Sequence, residues 1–150
     1  MTTLTRAEIL QRIPHRPPFL WVDEVLELSP ERIRASKFLS PSLDVFSGHY
    51  PGQPILPGVL QCEAAFQAGA LLISEMVTLK EGQVPVVTRL NNVKFRRPVR
   101  PGETLEITVE LSERLANAFF LKGTVSVDGQ VATRLEFACT MTDGDKERGR

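Results

Sequence analysis

The chain has 150 residues, of which 42% are hydrophobic and 24% are charged, proportions that are typical of a globular domain. Its 18 basic and 18 acidic side chains cancel, so no net charge attracts the chain to nucleic acid or to a membrane surface. No apolar run reaches the ~20 residues that a membrane-spanning helix needs. The N-terminal segment lacks the basic and apolar regions of a signal peptide. We therefore expect a cytoplasmic protein, with Cys62 and Cys139 as buried free thiols.

Local signals at the start of the chain predict a helix followed by two strands. Thr5 and Glu8 have the spacing of a capping box, so a short helix is expected from about Arg6 to Arg12. A strand is expected from about Phe19 to Leu28, and alternating apolar residues predict another from Arg32 to Leu39. The connection that follows has room for one helical turn.

A long apolar segment in the middle of the chain predicts a central helix. Pro57 suits a first helical position, because its fixed φ is helical and its missing N–H would be unpaired there. No Gly or Pro follows between Val59 and Ala68. The helix is expected from about Pro57 to Leu79, with its end near Glu81-Gly82, where Gly can adopt the left-handed conformation. Because this helix is apolar nearly all round, it belongs inside the protein.

Four further strands are expected after the helix, from Val84 to Phe95, Thr104 to Leu111, Arg114 to Val127 and Gln130 to Thr142. Asp128-Gly129 is a strong signal for a two-residue hairpin turn between the last two. The predicted fold class is α+β, with an antiparallel sheet of about six strands wrapped around one long central helix. We expect residues 1–142 to form a single domain and 143–150 to be a disordered charged tail. Mixed character on the outer face of several strands suggests a dimer.

Polar side chains in and before the central helix point to acid–base chemistry. Glu63 and Gln67 are four residues apart and share one helix face. An apolar wall around Glu63 favours the neutral, proton-donating form of its carboxyl group. His49 lies in the preceding loop, rich in Gly and Pro, and a neutral imidazole is a suitable base. The first N–H groups of the helix, those of Gly58 and Val59, are candidates to stabilise an oxyanion.

Each of these side chains also has an ordinary structural interpretation. His49 would then bond only to backbone, and Glu63 would pair with an arginine or face solvent. Gln67 is expected to orient Glu63, and the alternative is an inert polar residue. Glu63 has no basic neighbour within a helical turn, so the sequence favours the catalytic interpretation.

Three motifs carry a resemblance to a known family. They are PHRxPFLxVDxV at residues 14–25, GHYPGxPILPGVLxxEAxxQ at 48–67 and KFRRPVxPGE at 94–103. Their order and spacing resemble the β-hydroxyacyl-acyl carrier protein dehydratases of bacterial fatty acid synthesis, the FabZ type. The resemblance covers residues 9 to 141 approximately. It implies the hotdog fold, in which an antiparallel sheet wraps around a central helix.

The resemblance also implies a reaction. In the family, a loop histidine and a helix glutamate carry the chemistry, and they fall on His49 and Glu63. The implied substrate is a 3-hydroxyacyl thioester on the phosphopantetheine arm of acyl carrier protein, which loses water to give the trans-2-enoyl thioester. His49 of one subunit is expected to work with Glu63 of its partner in a homodimer, and the family favours a trimer of dimers. No cofactor, metal or nucleic acid is expected, since no phosphate loop, dinucleotide motif or metal spacing occurs.

An acyl substrate needs an apolar tunnel and a docking surface for its carrier protein. The candidate tunnel residues are Leu60, Phe66, Val93, Phe95 and Phe119, although core packing is the commoner role for any one of them. Arg96, Arg97 and Arg100 form a basic cluster that is expected to dock an acidic carrier protein, with an exposed solvated face as the alternative. Departures from the family pattern at Tyr50, Leu56, Gln61 and Cys62 leave the chain-length preference open.

Two other function classes compete with the dehydratase. A hotdog thioesterase or hydratase would share the thioester tunnel, since fold does not fix function, but the 48–67 motif argues against both. A non-catalytic acyl-thioester sensor would be expected to carry a DNA-binding module, for which 150 residues leave no room. A dehydratase of a specialised lipid or polyketide pathway also remains open.

Overall fold

The computed structural model describes residues 2–78, 80 and 82–142. Its helices are α1 (Arg6–Arg12), α2 (Asp44–Gly48) and α3 (Gly58–Met76). Its strands are β1 (Thr2–Leu4), β2 (Glu24–Leu28), β3 (Arg32–Phe38), β4 (Pro85–Phe95), β5 (Thr104–Leu115), β6 (Ala118–Val127) and β7 (Gln130–Met141). The tail expected at 143–150 lies outside the described residues.

The strands form one antiparallel sheet in the order β1-β2-β3-β5-β6-β7-β4. Strand β4 precedes β5 in the chain but lies at the far edge of the sheet, beside β7. Helix α3 packs against β3, β4, β5, β6 and β7. The prediction of an antiparallel sheet around one central helix is therefore confirmed. The sheet has seven strands instead of about six, because the three residues of β1 are too few to give a sequence signal.

Small residues on α3 let the sheet approach the helix closely. The buried small residues are Ala64, Ala65, Ala68, Gly69 and Ala70. A Cβ atom added at Gly69 would lie 2.9 Å from two ring atoms of Phe137, and the Phe137 side chain is only 2% exposed. Strand β7 therefore lies against the helix at a distance that only glycine permits at this position.

We expect Gly69→Ala to destabilise the fold. Overpacking a filled core costs about 1–3 kcal/mol, whereas the higher helix propensity of alanine returns only about 1 kcal/mol. The midpoint of thermal or denaturant unfolding should therefore fall. Gly52→Ala is the matched control, because an added Cβ there meets no atom within 4 Å. An unchanged or higher midpoint in Gly69→Ala would contradict this account of the packing.

Helix α3 is shorter than predicted at both ends. Pro57 precedes the helix instead of beginning it, since its ψ of 137° is extended. Val77 is also extended, with φ −134° and ψ 145°, so the helix ends at Met76 and not at Leu79. A β-branched residue such as Val77 has restricted side-chain freedom in a helix, which favours this end. The predicted end near 81–82 was therefore wrong, and Leu79 and Glu81 themselves lie outside the described ranges.

The turn between β5 and β6 also lies further along the chain than predicted. A bulge between Leu111 and Glu113 carries β5 past its predicted end, and the strand continues to Leu115. Ala116 then adopts a left-handed φ of 54°, and β6 begins at Ala118. Alanine seldom adopts this conformation, so the sequence held no turn signal there.

Candidate active site

His49 follows α2 directly and is held by a hydrogen bond within its own loop. Its Nδ1 lies 2.8 Å from the carbonyl oxygen of Ile55. A carbonyl oxygen only accepts, so Nδ1 carries a proton and donates it. In the neutral ring, Nε2 then keeps its lone pair. Tyr50 packs its ring edge-on to the imidazole at 4.7 Å between centroids. The loop therefore presents an imidazole with one basic nitrogen available.

A cavity of about 530 Å³ lies between this loop, the start of α3 and the end of β4. Its lining residues are His49, Ile55, Leu56, Pro57, Gly58, Val59, Gln61, Phe95, Arg96, Arg97 and Pro98. Most of this lining is apolar, and the polar groups gather around His49 and the two arginines. The cavity therefore suits a molecule with a long apolar part and a polar group.

The first N–H groups of α3 are available at this cavity. The N–H groups of Leu60 and Gln61 both donate to the Pro57 carbonyl, at 3.0 and 3.3 Å. Those of Gly58 and Val59 have no acceptor in the described part of the chain. Unpaired N–H groups are expected at a helix start without a side-chain cap. The two expected oxyanion donors therefore open onto the cavity that His49 lines.

Gly58 permits the close approach of the Phe95 ring. A Cβ atom at residue 58 would lie 2.6 Å from the nearest atom of the Phe95 ring. The Phe95 side chain is 57% exposed, so a larger residue at 58 would push this ring towards solvent. The pair therefore shapes part of the cavity wall from two elements, α3 and β4.

Glu63 is held by Gln67 on the next turn of α3. The amide Nε2 of Gln67 donates to Oε2 of Glu63 at 3.0 Å and to the Phe19 carbonyl at 2.9 Å. Its Oε1 accepts from the Trp21 backbone N–H at 2.7 Å. Gln67 is fully buried, so these three bonds fix its amide. Phe19 and Trp21 lie before β2, in a segment that the sequence predicted to be a strand.

A second histidine lies beside Glu63. His15 Nε2 is 3.7 Å from Glu63 Oε2, although His15 comes from the loop between α1 and β2. This contact has no local sequence signal, because the two residues are 48 positions apart and no basic residue lies within one helical turn of Glu63. The sequence feature that could have indicated a role for His15 is the PHR segment of the first motif, which contains this histidine.

His49 and Glu63 are not in contact within one chain. No hydrogen bond or ion pair joins their side chains in the structure described here. His49 lines the cavity at the start of α3, whereas Glu63 does not line it and bonds to Gln67 instead. The two residues that the sequence paired therefore belong to separate clusters within this chain.

Comparison with known proteins places the chain in a family. The sequence model of the FabA-like domain matches residues 13–136. A 3-hydroxyacyl-[acyl-carrier-protein] dehydratase FabZ from Aromatoleum aromaticum is 42% identical over 137 residues, which are 89% of this chain and 94% of that protein. The FabZ of Petrotoga mobilis is 41% identical over 129 residues, 86% of this chain and 91% of that protein. This chain belongs to the FabA-like family and is of the FabZ type.

The FabZ-type chain also resembles solved structures. The dehydratase heterocomplex ApeI:P from Xenorhabdus doucetiae aligns with a TM-score of 0.75, covering 94% of this chain and 95% of that chain, at 17% identity. At this identity the likeness shows the fold alone. The hotdog fold implied by the motifs is therefore confirmed.

The expected tunnel residues of this FabZ-type chain occupy different places. Of the five, only Phe95 lines the cavity. Leu60, Phe66 and Val93 are half-buried and pack against the core, and Phe119 is a core residue with 1% exposure. Phe66 contacts Phe137 edge-on, with 5.1 Å between ring centroids.

Gln61 is a lining residue that the sequence analysis noted only as a departure from the family pattern. Its side chain is 3% exposed and its Oε1 accepts a hydrogen bond from the Thr133 hydroxyl. Thr133 lies on β7 and is fully buried. A buried amide thus forms part of the wall beside Gly58 and Val59.

The two cysteines are buried free thiols, as predicted. Burial raises the pKa of Cys139 to about 12 and also raises the pKa of Cys62. A thiol of this kind is a poor nucleophile, because the thiolate is the reactive form.

Across residues 2–78, 80 and 82–142, no cluster of three His, Cys, Asp or Glu side chains is placed to hold a metal. None of the helices described there is long and apolar enough to cross a bilayer.

Proposed function

We propose that this FabZ-type chain is a cytoplasmic dehydratase of bacterial type II fatty acid synthesis. It converts (3R)-hydroxyacyl-acyl carrier protein into trans-2-enoyl-acyl carrier protein and water. The observation that carries the proposal is the pairing, at one apolar cavity, of an imidazole with a free Nε2 and two helix N–H groups that have no acceptor among the described residues. A base and an oxyanion site are the two groups that proton removal beside a thioester requires.

His49 and the start of α3 act on the acyl thioester. Nε2 of His49 takes a proton from C2 of the substrate, and the electrons of that C–H bond form the C2–C3 double bond. The N–H groups of Gly58 and Val59 stabilise the negative charge that develops on the thioester oxygen. The Ile55 carbonyl keeps the imidazole in the tautomer with a basic Nε2. The exposed faces of Val59 and Phe95 hold the acyl chain.

Glu63 supplies the proton for the leaving group. As the C3–O bond breaks, its carboxyl group donates a proton to the departing hydroxyl, which leaves as water. Gln67 is a positioning residue, since its amide is fixed by Phe19 and Trp21 and donates to the Glu63 carboxylate. Phe66, three residues after Glu63, lies near it on α3 and is proposed to contact the acyl chain, although within one chain it packs edge-on against Phe137. After turnover, His49 holds the C2 proton and Glu63 is ionised, so one proton must return through solvent.

We propose that His49 of one subunit works with Glu63 of the partner subunit. Two observations support a dimer. The two side chains form separate clusters within one chain, and β4 is a long edge strand with exposed apolar residues. Val87 is 38% and Leu90 is 44% exposed on this strand, and such an edge is a ready template for pairing with a second chain. Pairing through β4 would also cover Val59, which is 71% exposed.

The same proposal extends to a trimer of dimers and to docking of an acidic carrier protein. Arg96 and Arg97 lie at the cavity, and Arg100 is exposed on the adjoining connection. Arg97 forms an ion pair with Glu103 at 2.9 Å. The Arg96 side chain has no partner among the described residues, so its charge is available to steer an acidic protein. Light scattering distinguishes a dimer from a hexamer.

A spectroscopic assay tests the reaction class. Purified protein is mixed with 3-hydroxybutyryl and crotonyl thioesters, while the enoyl-thioester absorbance and the free thiol are followed together. We expect the enoyl band to rise with the first substrate and to fall with the second, without release of thiol. Release of thiol at the rate of substrate loss would instead identify a thioesterase, and no change with either substrate would refute the catalytic proposal.

A further inference from the structure

His15 places a second imidazole beside Glu63, and the mechanism above makes no use of it. Its Nε2 lies 3.7 Å from Glu63 Oε2, an ion-pair distance that is longer than a hydrogen bond. Both side chains are largely covered, with 28% of His15 and 22% of Glu63 exposed. Gln67 donates to the same Oε2 atom at 3.0 Å. One carboxylate oxygen of Glu63 thus has two nitrogen neighbours from different parts of the chain.

The other ring nitrogen of His15 has no hydrogen-bond partner. Nδ1 is buried, and neither backbone nor side chain in the described part of the protein bonds to it. A buried polar atom without a partner is uncommon in folded proteins and costs free energy. The Glu63 carboxylate is therefore the polar group that accounts for a histidine at this position.

The charge state of His15 follows from its surroundings. Burial lowers the pKa of His15 below its usual 6.5, the Glu63 carboxylate raises it in part, and Arg16 lowers it. Glu63 on α3 and Arg16 in the same loop are the charged groups that act on the ring. The ring is therefore neutral at pH 7. The tautomer with its proton on Nε2 directs an N–H group towards Glu63.

We propose that His15 is a positioning residue that works through Glu63. The amide of Gln67 holds the carboxyl group by a hydrogen bond at 3.0 Å, and Nε2 of His15 faces the same oxygen at 3.7 Å. When Glu63 gives its proton to the leaving hydroxyl, both groups lie beside the carboxylate that forms, and the dipole of the imidazole N–H favours that charge electrostatically. This inference rests on the proposed role of Glu63 in dehydration.

A proton relay between Glu63 and solvent would need an acceptor or donor at each ring nitrogen, and no protein group in the described part of the chain bonds to the buried Nδ1 of His15. The ring therefore contributes an N–H donor beside Glu63. A residue with a comparable N–H donor should restore part of the activity that is lost with the imidazole. This requirement separates His15→Gln, which keeps an N–H donor, from His15→Leu, which does not.

Steady-state kinetics test this role. In His15→Leu, kcat should fall by roughly 10- to 100-fold, the scale of effect when a catalytic group loses its orientation. KM should stay unchanged, because His15 does not touch the cavity. The pH profile of kcat should also differ from that of wild type, because His15 faces the carboxyl group that gives up the proton. His15→Gln should recover much of both effects, which a purely structural role would not predict.

A second readout does not depend on activity. The chain has only two histidines, so His49→Asn assigns their two imidazole signals in an NMR titration. Glu63→Gln removes the carboxylate that raises the pKa of His15, so the His15 midpoint should move to lower pH. Glu75→Gln is the matched control, because Glu75 lies on the same helix but pairs with Arg12 at 2.7 Å. This control should leave the His15 midpoint unchanged.

The outcomes separate this inference from the proposed function. Active wild-type protein, together with an unchanged pH profile in His15→Leu or an unmoved His15 midpoint in Glu63→Gln, overturns the role of His15 and leaves the dehydratase proposal intact. Wild-type protein without dehydratase activity overturns both. A shifted profile, recovery in His15→Gln and a lowered His15 midpoint together support the positioning role.

Discussion

Glu63→Gln should lower kcat for dehydration by about 10²- to 10⁴-fold, the contribution of a general acid. Glutamine has nearly the same shape, and its amide oxygen can still accept the bond from Gln67. It has no acidic proton to give to the departing hydroxyl. The loss should therefore appear in kcat, with little change in KM, because Glu63 does not line the cavity that is proposed to hold the acyl chain and the thioester.

The control for this prediction is another glutamate of the same helix. Glu75→Gln breaks the ion pair with Arg12 but lies outside both catalytic clusters. Its kcat should stay within about twofold of wild type, since an ion pair with this exposure is worth only about 0–1 kcal/mol. Circular dichroism and the unfolding midpoint show whether each variant is folded. A folded Glu63→Gln protein with near wild-type kcat would exclude Glu63 as the acid.

Mixing two inactive variants should restore activity if each site uses two subunits. His49→Asn keeps an amide N–H for the Ile55 carbonyl but lacks the basic Nε2, so it should be inactive without disturbing the loop. Random pairing of His49→Asn with Glu63→Gln gives half mixed dimers, and each has one intact site out of two. Co-expressed protein should therefore reach about a quarter of wild-type activity in an isologous dimer.

This prediction distinguishes a shared site from a site within one chain. If His49 and Glu63 acted within the same chain, every site in the mixture would lack one of them. Activity would then stay at the level of the separate variants, even where two affinity tags prove that mixed dimers are present. That result would contradict pairing of the clusters across β4.

Local sequence signals predicted several elements of the fold and one contact of the site. Thr5 and Glu8 form the predicted capping box on α1. Asp128 and Gly129 adopt the positive φ values, 50° and 76°, of the predicted hairpin turn. The bond from Gln67 to Glu63 follows from their spacing on one helix face. Each of these features is formed by residues that lie within a few positions of one another in the chain. The types and spacing of those residues are therefore enough to predict them.

Contacts between distant segments could not be predicted in this way. Neither the pairing of His15 with Glu63 nor the place of β4 at the sheet edge has a local signal. The turn at Ala116 has a left-handed φ of 54°, which alanine seldom adopts, so the residue type gave no signal for it. Phe95 and Phe119 were both predicted to line the tunnel, but only Phe95 lines the cavity. This difference arises because the end of β4 lies beside the start of α3.

The intact mass of the acyl carrier protein tests the central claim most directly. Carrier protein loaded with a (3R)-hydroxyacyl chain is incubated with the purified enzyme and followed by mass spectrometry. We predict that this carrier loses the mass of one water. In a parallel reaction, carrier loaded with the trans-2-enoyl chain should gain the mass of one water. Both reactions should end at the same mixture of the two forms. Appearance of the carrier with a free phosphopantetheine thiol, or no change in either direction, would contradict the assignment of this chain as a 3-hydroxyacyl-acyl carrier protein dehydratase.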